Sequence, residues 1–563
     1  MVWRRNKKRK KGVELYPDEI LLDVYNLPRF DAQQFEGRIE QPIRKQAFQG
    51  LTAFLLLVGI FFVGRLGVLQ IIETKDYQKK SEQNSLDHIP IFADRGLIYD
   101  RNGVELAWNS IRTEEEPAIR QYIEKEGFAS LLGYVSYPAK DEKGIFWQLR
   151  TMGKDGIEKE YDETLAGTNG TQLIEIDVSG NVLSGSTIEF PQAGENLSLS
   201  IDATVQSVLF DGIKALAEQS GYAGGAGAVM DIYTGELIAI TSFPEYSQKV
   251  LSDADDAKTI KGYLTSKERP FLQRMTEGLY TPGSIVKPFL ALAALQERII
   301  RPEKTIYSSG ELRVPNPYQP GKFTVFRDND AHGAVDMRNA LAVSSNIYFY
   351  YIGGGFGSQE GLGIDRINTY LSLFGIGQKT GINLSGELEG TIPSIEWKKK
   401  RFPGDPWRIG DTYNTSIGQY GFQVTPIQML RAISAVASRG ILVTPTVFEE
   451  QNNIPWQKQE RLPIEDAYYD VVHDGMRMVV TEGTAQSLNN AKLSVSAKTG
   501  TAQIKANTRV NSWVIGFFPS EAPRYAFTVL MEDGPKVSSG AAHAFKYVVG
   551  YLAEHPETLP LRE

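Results

Sequence analysis

The first strong pattern along the chain is an uninterrupted apolar run. Gln46 to Gly64 gives 19 residues without a charge, among them "LTAFLLLVGIFFV". A helix needs about 20 such residues to cross a bilayer core. Apolar character resumes after Arg65 in "LGVLQII", so the helix runs on with Arg65 snorkelling, and residues 46–72 are predicted to form one membrane anchor. The run starts deep in the chain and lacks an A-x-A site, which suits an anchor better than a cleaved signal. No second span appears. Residues 73–190 are polar, irregular and rich in glycine turns, with short alternating runs such as "TQLIEIDV" that predict strands. From 191 onward the pattern is more regular. "DATVQSVLFDGIKALAEQ" has helical periodicity, and "GAGAVMDIYTGELIAITSFP" reads as two apolar strands around a Tyr-Thr-Gly turn. "SIVKPFLALAALQERI" predicts a long helix after Pro-Gly. "VSAKTGTAQI", "NSWVIGFFP" and "RYAFTVLME" predict three successive antiparallel strands, and "GAAHAFKYVVGYLAEH" a closing amphipathic helix. Strands at both ends of a domain with helices between them predict an α+β fold whose sheet is assembled from distant segments.

Composition narrows the chemistry. The chain has 563 residues, enough for several domains, with 42% hydrophobic and 23% charged positions. A net charge of −8 gives no basic field for nucleic acid. There is no cysteine, which excludes disulfides, Cys-ligated metals and Cys nucleophiles. The five histidines, His88, His332, His473, His543 and His555, have no metal-ligand spacing, so no metal and no cofactor are expected. Any hydrolysis or group transfer must work largely without histidine. The N-terminal "MVWRRNKKRKKG" holds seven Lys/Arg and no acid. Positive residues ahead of the anchor place the N-terminus in the cytoplasm and everything after about residue 72 on the other side. The charges of residues 73–190 show no catalytic grouping and are read as solvated surface.

Three short motifs carry the candidate chemistry. In "YTPGSIVKPFL", Ser284 and Lys287 are three apart and share a face of a helix. A serine hydroxyl is a weak nucleophile until a base takes its proton, and lysine serves only if burial or a nearby cation lowers its pKa. The helix N-terminus supplies free N–H groups for an oxyanion, and Pro288 fits a first turn. A plain helix start with a solvated lysine explains the same residues, although Ser284 is the only serine with a lysine three residues on. "AVSSNIYFY" adds Ser344, Ser345 and Asn346; "SAKTGTAQ" adds Lys498, Thr499, Gly500 and Thr501. The latter heads a predicted strand, which puts Lys498 and Gly500 on one face and Thr499 and Thr501 on the other, with Gly500 open to a close substrate backbone. A second Lys379-Thr380-Gly381 falls in a predicted loop. S-x-x-K, S-x-N and K-T-G in this order form the combined signature of penicillin-interacting serine enzymes.

On these motifs, and on "RGLIYDRNG", "TGELIAITSFP", "AHGAVDMRNALAVSSNIYFY" and "NTSIGQYGFQVTPIQM", the sequence resembles the class B penicillin-binding proteins, monofunctional peptidoglycan transpeptidases. The likeness runs from the anchor to near the C-terminus. "SGELRVPNP" and "IYFYYIG" resemble the elongation branch, penicillin-binding protein 2, more than the septal one. The resemblance implies a basic tail at 1–45, the anchor at 46–72, an elongated pedestal (dimerisation-like) domain at 73–190 and a transpeptidase domain at 191–563. That last domain would have the serine β-lactamase-like fold, a five-stranded antiparallel sheet flanked by helices. It implies that Ser284 attacks the D-Ala-D-Ala carbonyl of a stem peptide, that Lys287 takes its proton, and that Ser344 relays a proton to the leaving D-Ala. Asn346 would bind the donor backbone and help hold Lys287. Lys498 would keep the local potential positive, favouring a neutral Lys287. Gly500 would lie against the substrate, Thr499 and Thr501 would bind its carboxylate, and the backbone N–H groups of Ser284 and Thr501 would form the oxyanion hole. β-Lactams would acylate Ser284. The implied partner is a membrane-embedded RodA-type (SEDS) glycosyltransferase, and the implied place is the bacterial cytoplasmic membrane with the catalytic domain outside.

Some positions depart from the family pattern. Ala497 stands for a common glycine, Gln273 for a common asparagine, "DAHG" for Gly-His-Gly, and "GQYGF" transposes the usual Gly-Tyr. None removes a catalytic group. His332 is read as structural. A septal transpeptidase, a D,D-carboxypeptidase or β-lactamase-like hydrolase with the same triad, and a non-enzymatic sensor or scaffold remain as alternatives at this point.

Overall fold

The computed structural model describes residues 45–75, 86–110, 116–142, 146–176, 182–316, 319–449, 460–504, 508–536 and 540–559; apart from Lys45, the basic tail lies outside them. The chain divides into two compact units, one of 1–87 and 175–183, the other of 88–174 and 184–563. In the first, helix α1 (Lys45–Gly67) continues as one π-helical turn to Ile72, a 28-residue stretch long and apolar enough to cross a membrane. It is apolar on every side, the character of a helix solvated by something other than water.

The second unit begins with a four-stranded sheet. Strands β1 (Ile98–Tyr99), β2 (Glu105–Ser110) and β3 (Ile119–Tyr122) pair antiparallel, and β4 (Leu197–Ser198) adds parallel to β1. Asp100 closes the β1–β2 turn by accepting from Asn102 and Val104 N–H, both at 2.8 Å, and its other oxygen accepts from Ala203 N–H at 3.1 Å. The surface reading of this region's charges does not hold throughout. Glu158 is fully buried and accepts from Arg95 Nε at 2.5 Å and Arg120 Nε at 2.7 Å. Buried charges persist when paired and hydrogen-bonded; sequence spacing alone does not reveal a partner 38 or 63 positions away.

Helix α2 (Ala203–Ser220) starts where Asp202 accepts from Thr204 and Val205 N–H, both at 2.9 Å, and ends at left-handed Gly221. Strands β5 (Gly224–Asp231) and β6 (Leu237–Phe243) follow as the predicted hairpin. Further along lie helix α3 (Lys287–Gln296), the hairpin β7 (Glu311–Pro315) and β8 (Phe323–Arg327), and helices α4 (Met337–Ala342), α5 (Asn346–Gly354), α6 (Pro426–Ala437) and α7 (Asp466–Thr481). The chain closes with β9 (Ser496–Ile504), β10 (Arg509–Phe518), β11 (Tyr525–Pro535) and helix α8 (Ala541–Glu554).

The central sheet has five antiparallel strands in the order β6-β5-β11-β10-β9. Its period-2 alternation feeds two cores. Val229, Val514, Phe527 and Val529 face α2 and α8, whereas Ala228, Trp513, Ile515 and Leu530 face a larger core containing α3, α5 and α6. The three layers follow from that pattern. Helix α3 is buried along its length except at Gln296, so it runs through the middle of the domain and fixes its first turn against the sheet.

Candidate active site

Ser284 lies not in the α-helix but in a 3₁₀ turn, Gly283–Val286, that leads into α3. The reason is local. An α-helical pattern would have the residue-288 N–H donate to Ser284 O, and Pro288 has none. Lys287 N–H donates to Ser284 O instead, an i to i+3 bond. Side chains three apart eclipse in 3₁₀ geometry, which holds Ser284 and Lys287 on one side more strictly than an α-helix would. The turn is braced from behind by the "GQYGF" loop. Gly283 N–H donates to Gly418 O at 3.0 Å, and a Cβ at Gly418 (φ +75°) would sit 2.1 Å from Gly283 O.

The other two motifs converge on Lys287. Its buried Nζ donates to Ser344 O at 2.7 Å and Asn346 Oδ1 at 2.8 Å, and lies 3.3 Å from Ser344 Oγ. Lys498, also fully buried, donates to the same Ser344 Oγ at 2.9 Å and to Thr499 O at 2.8 Å. Ser344 adopts φ +60°, a left-handed conformation that costs a non-glycine residue energy and marks a site held by its surroundings. Strand β9 is the sheet's edge strand. It carries Thr499 half-buried and Thr501 exposed on the face away from Lys498, and the Gly283 Cβ position lies 3.3 Å from Thr501 O. Ser284, half-buried, therefore sits in a turn that packs against the edge strand. The loop copy of Lys-Thr-Gly takes no part: Thr380 is tied to Glu387 at 2.6 Å.

Gly500 also has a packing task. A Cβ there would meet Ile285 Cγ2 at 2.9 Å and Pro282 O at 3.0 Å. The glycine admits the Ser284 turn against β9. Ala497 fits because it is buried opposite Gly516 in the helix-covered core. Gln273 donates to Ser130 O at 2.9 Å.

Burial lowers the pKa of Lys287 to about 7, against an opposing pull from Asp328. Burial, and then Lys287 itself, push Lys498 well below the ordinary lysine value. A permanently charged Lys498 beside a neutral Lys287 was the simple expectation. The structure places both ammonium groups on one hydroxyl, with the Asp328 carboxylate on the Lys287 side, so the two titrate as a pair. Asp328 was not singled out from the sequence. Its carboxylate is held below the ordinary range, despite burial, by the Asn346 N–H and Ser345 hydroxyl it accepts from. Thr484, whose hydroxyl bonds that of Thr499 at 2.5 Å, was likewise missed. Neither sits in a spacing that announces it; "RDNDAHG" offers two acids with nothing to choose between them.

A half-buried serine and a buried lysine at a 3₁₀ turn, a Ser-x-Asn turn and a Lys-Thr-Gly edge strand, on a five-stranded sheet between helical layers, define the serine β-lactamase-like class. The description "Penicillin binding protein transpeptidase domain" matches residues 225–549, and "Penicillin-binding Protein dimerisation domain" matches 108–199. The chain belongs to the penicillin-binding protein transpeptidase family. It is 28% identical to the Escherichia coli K12 protein named peptidoglycan D,D-transpeptidase MrdA, covering 91% of this chain and 94% of that one. It is similar to the crystal structure of Pseudomonas aeruginosa penicillin-binding protein 2 in complex with WCK 5153, with a TM-score of 0.67, 29% identity and 83% and 96% of the two chains covered. Helicobacter pylori penicillin-binding protein 2 in its complex with MreC is also similar, with a TM-score of 0.67, 25% identity and coverage of 84% and 99%.

Proposed function

We propose that the chain is a peptidoglycan D,D-transpeptidase of cell-wall elongation, working through an acyl-enzyme on Ser284. The observation that carries this reading is the meeting of Lys287 and Lys498 on one Ser344 hydroxyl beside the Ser284 turn. A donor stem peptide ending in D-Ala-D-Ala lies extended along the free edge of β9, as strands added to a sheet edge do, with its carboxylate at Thr499 and Thr501. That negative charge draws the pair's proton to Lys498 and leaves Lys287 neutral. Lys287 takes the Ser284 proton as the serine oxygen attacks the carbonyl carbon. The oxyanion is met by the backbone N–H groups of Ser284 and Thr501. Collapse breaks the peptide bond, and the leaving D-Ala nitrogen receives a proton from Lys287 through Ser344. An amine of a neighbouring stem peptide then attacks the ester, forming the cross-link and returning Ser284. Asn346 orients both Lys287 and the donor backbone. β-Lactams present the same carbonyl and carboxylate and acylate Ser284.

In this reading the anchor is single-pass in the bacterial cytoplasmic membrane, the N-terminus is inside and the catalytic domain outside. The chain works beside a separate RodA-type glycosyltransferase, and the family likeness supports that pairing. The test is labelling of the full chain with fluorescent penicillin. Wild type should give a slowly released adduct that maps to Ser284, and Ser284→Ala none. Labelling that is independent of Ser284 would overturn the assignment, and rapid turnover of penicillin would point to a hydrolase.

A further inference from the structure

The Ser344 turn is strained, and one buried carboxylate meets the residues around it. Asp328 follows β8, and its side chain is fully buried. Its Oδ1 accepts from Asn346 N–H at 2.6 Å and Asn329 N–H at 2.8 Å. Its Oδ2 accepts from the hydroxyls of Ser345 at 2.7 Å and Ser308 at 2.9 Å, and from Ile347 N–H at 3.1 Å. Three of these five donors are consecutive residues at the start of α5, where free N–H groups and the helix dipole favour an anion. The preceding residue is Ser344 at φ +60°, and Asn346 is the residue whose Oδ1 accepts a hydrogen bond from Lys287 Nζ. Fixing the backbone from Ser345 to Ile347 therefore fixes the direction of both groups that meet the lysines.

We propose that Asp328 is a positioning residue of the transpeptidase site: by gripping the start of α5 it holds the Ser344 turn in its left-handed form, so that Ser344 Oγ and Asn346 Oδ1 converge on Lys287. The inference rests on the reading of Ser284 as nucleophile. Asp328 acts through its neighbours and touches no reacting atom. It also has an electrostatic consequence. The charged groups that face Lys287 are Lys498 from β9 and Asp328 from the segment after β8, with His332 Nε2 3.9 Å behind Asp328. Of these, Asp328 is the one that favours a proton on Lys287, so its neutralisation makes Lys287 a weaker base that is free at lower pH.

The rate of acylation by fluorescent penicillin, followed against pH with the full chain in detergent micelles, tests this. Asp328→Asn keeps the shape but offers one acceptor oxygen where two are used. Its acylation should fall about 10²-fold, the scale of a misplaced catalytic group, and the acid limb should move to lower pH. Asp328→Glu keeps the charge and displaces it; the rate should stay low while the limb remains close to wild type. A merely structural role would lower thermal stability and leave the limb in place. If Asp328→Asn does not fold, Ser345→Ala removes one of the five donors without touching the charge, and should lose about 5-fold, the worth of one hydrogen bond, with the limb unmoved. Folded Asp328→Asn, or Ser345→Ala, acylating at the wild-type rate overturns the inference. A Ser284→Ala control separates the two readings: an adduct persisting there removes the nucleophile and this inference with it, whereas no adduct there with full rates in Asp328→Asn removes this inference alone.

Discussion

Lys287 has no exposed surface, yet three oxygens of Ser344 and Asn346 surround its Nζ. Burial works against its charge and brings its pKa from 10.5 to about 7. For catalysis the useful form is the neutral amine, so acylation should climb as pH rises through about 7. The same shift acts on stability with a defined sign. Between about 7 and 10.5 the unfolded chain holds a proton that the folded chain has lost. Stability from this group therefore rises with pH across that window and is lowest below about 7. Lys287→Met lacks this dependence. The difference in melting temperature between Lys287→Met and wild type should shrink steadily from pH 7 to 10, and a difference that is constant with pH would contradict the burial argument.

At the level of elements, the site depends on how closely the 3₁₀ turn approaches the edge strand. Ile285 and Pro282 occupy the space a side chain at Gly500 would need. Gly500→Ala should push β9 and the Ser284 turn apart, lowering stability by about 1–3 kcal/mol, the usual scale of overpacking. Acylation should fall about 10-fold because Ser284 and Thr501 separate; unchanged acylation, measured with the same penicillin, would mean the approach is not set by this glycine. The contact was not legible in the sequence, although its ingredients were. Alternation placed β9 and the face carrying Lys498 correctly, and periodicity placed α2, α3 and α8, because each of these depends on residues close in sequence. The 3₁₀ form of the Ser284 turn was also within reach, since Pro288 dictates it. Asp328 and Glu158 were not. Each is defined by partners 17 to 63 positions away, and an acid that accepts several donors looks, in one dimension, like any surface acid.

Over the whole molecule, polarity is sorted into opposite regimes. Around Glu158 the chain buries two arginines and a carboxylate and pairs them with one another, so that losing one partner would leave an uncompensated charge at a cost of about 3–5 kcal/mol. Helix α1 does the reverse, exposing Leu, Phe, Ile and Val on all sides with no buried residue along its length. Its glycines Gly50, Gly59, Gly64 and Gly67 have open space where a Cβ would stand. In lipid, small residues let a second helix approach closely, and packing takes over from the hydrophobic effect as the force that joins helices. If this helix both anchors the enzyme and recognises the polymerase, its sequence matters as well as its hydrophobicity. Exchange of residues 46–72 for an unrelated apolar helix of equal length should then leave penicillin labelling of Ser284 intact, because the side chains proposed as catalytic all lie beyond residue 283. Co-purification with the RodA-type glycosyltransferase should drop sharply. Co-purification at the wild-type level after the exchange would limit α1 to anchoring and move recognition to the region between the anchor and α2.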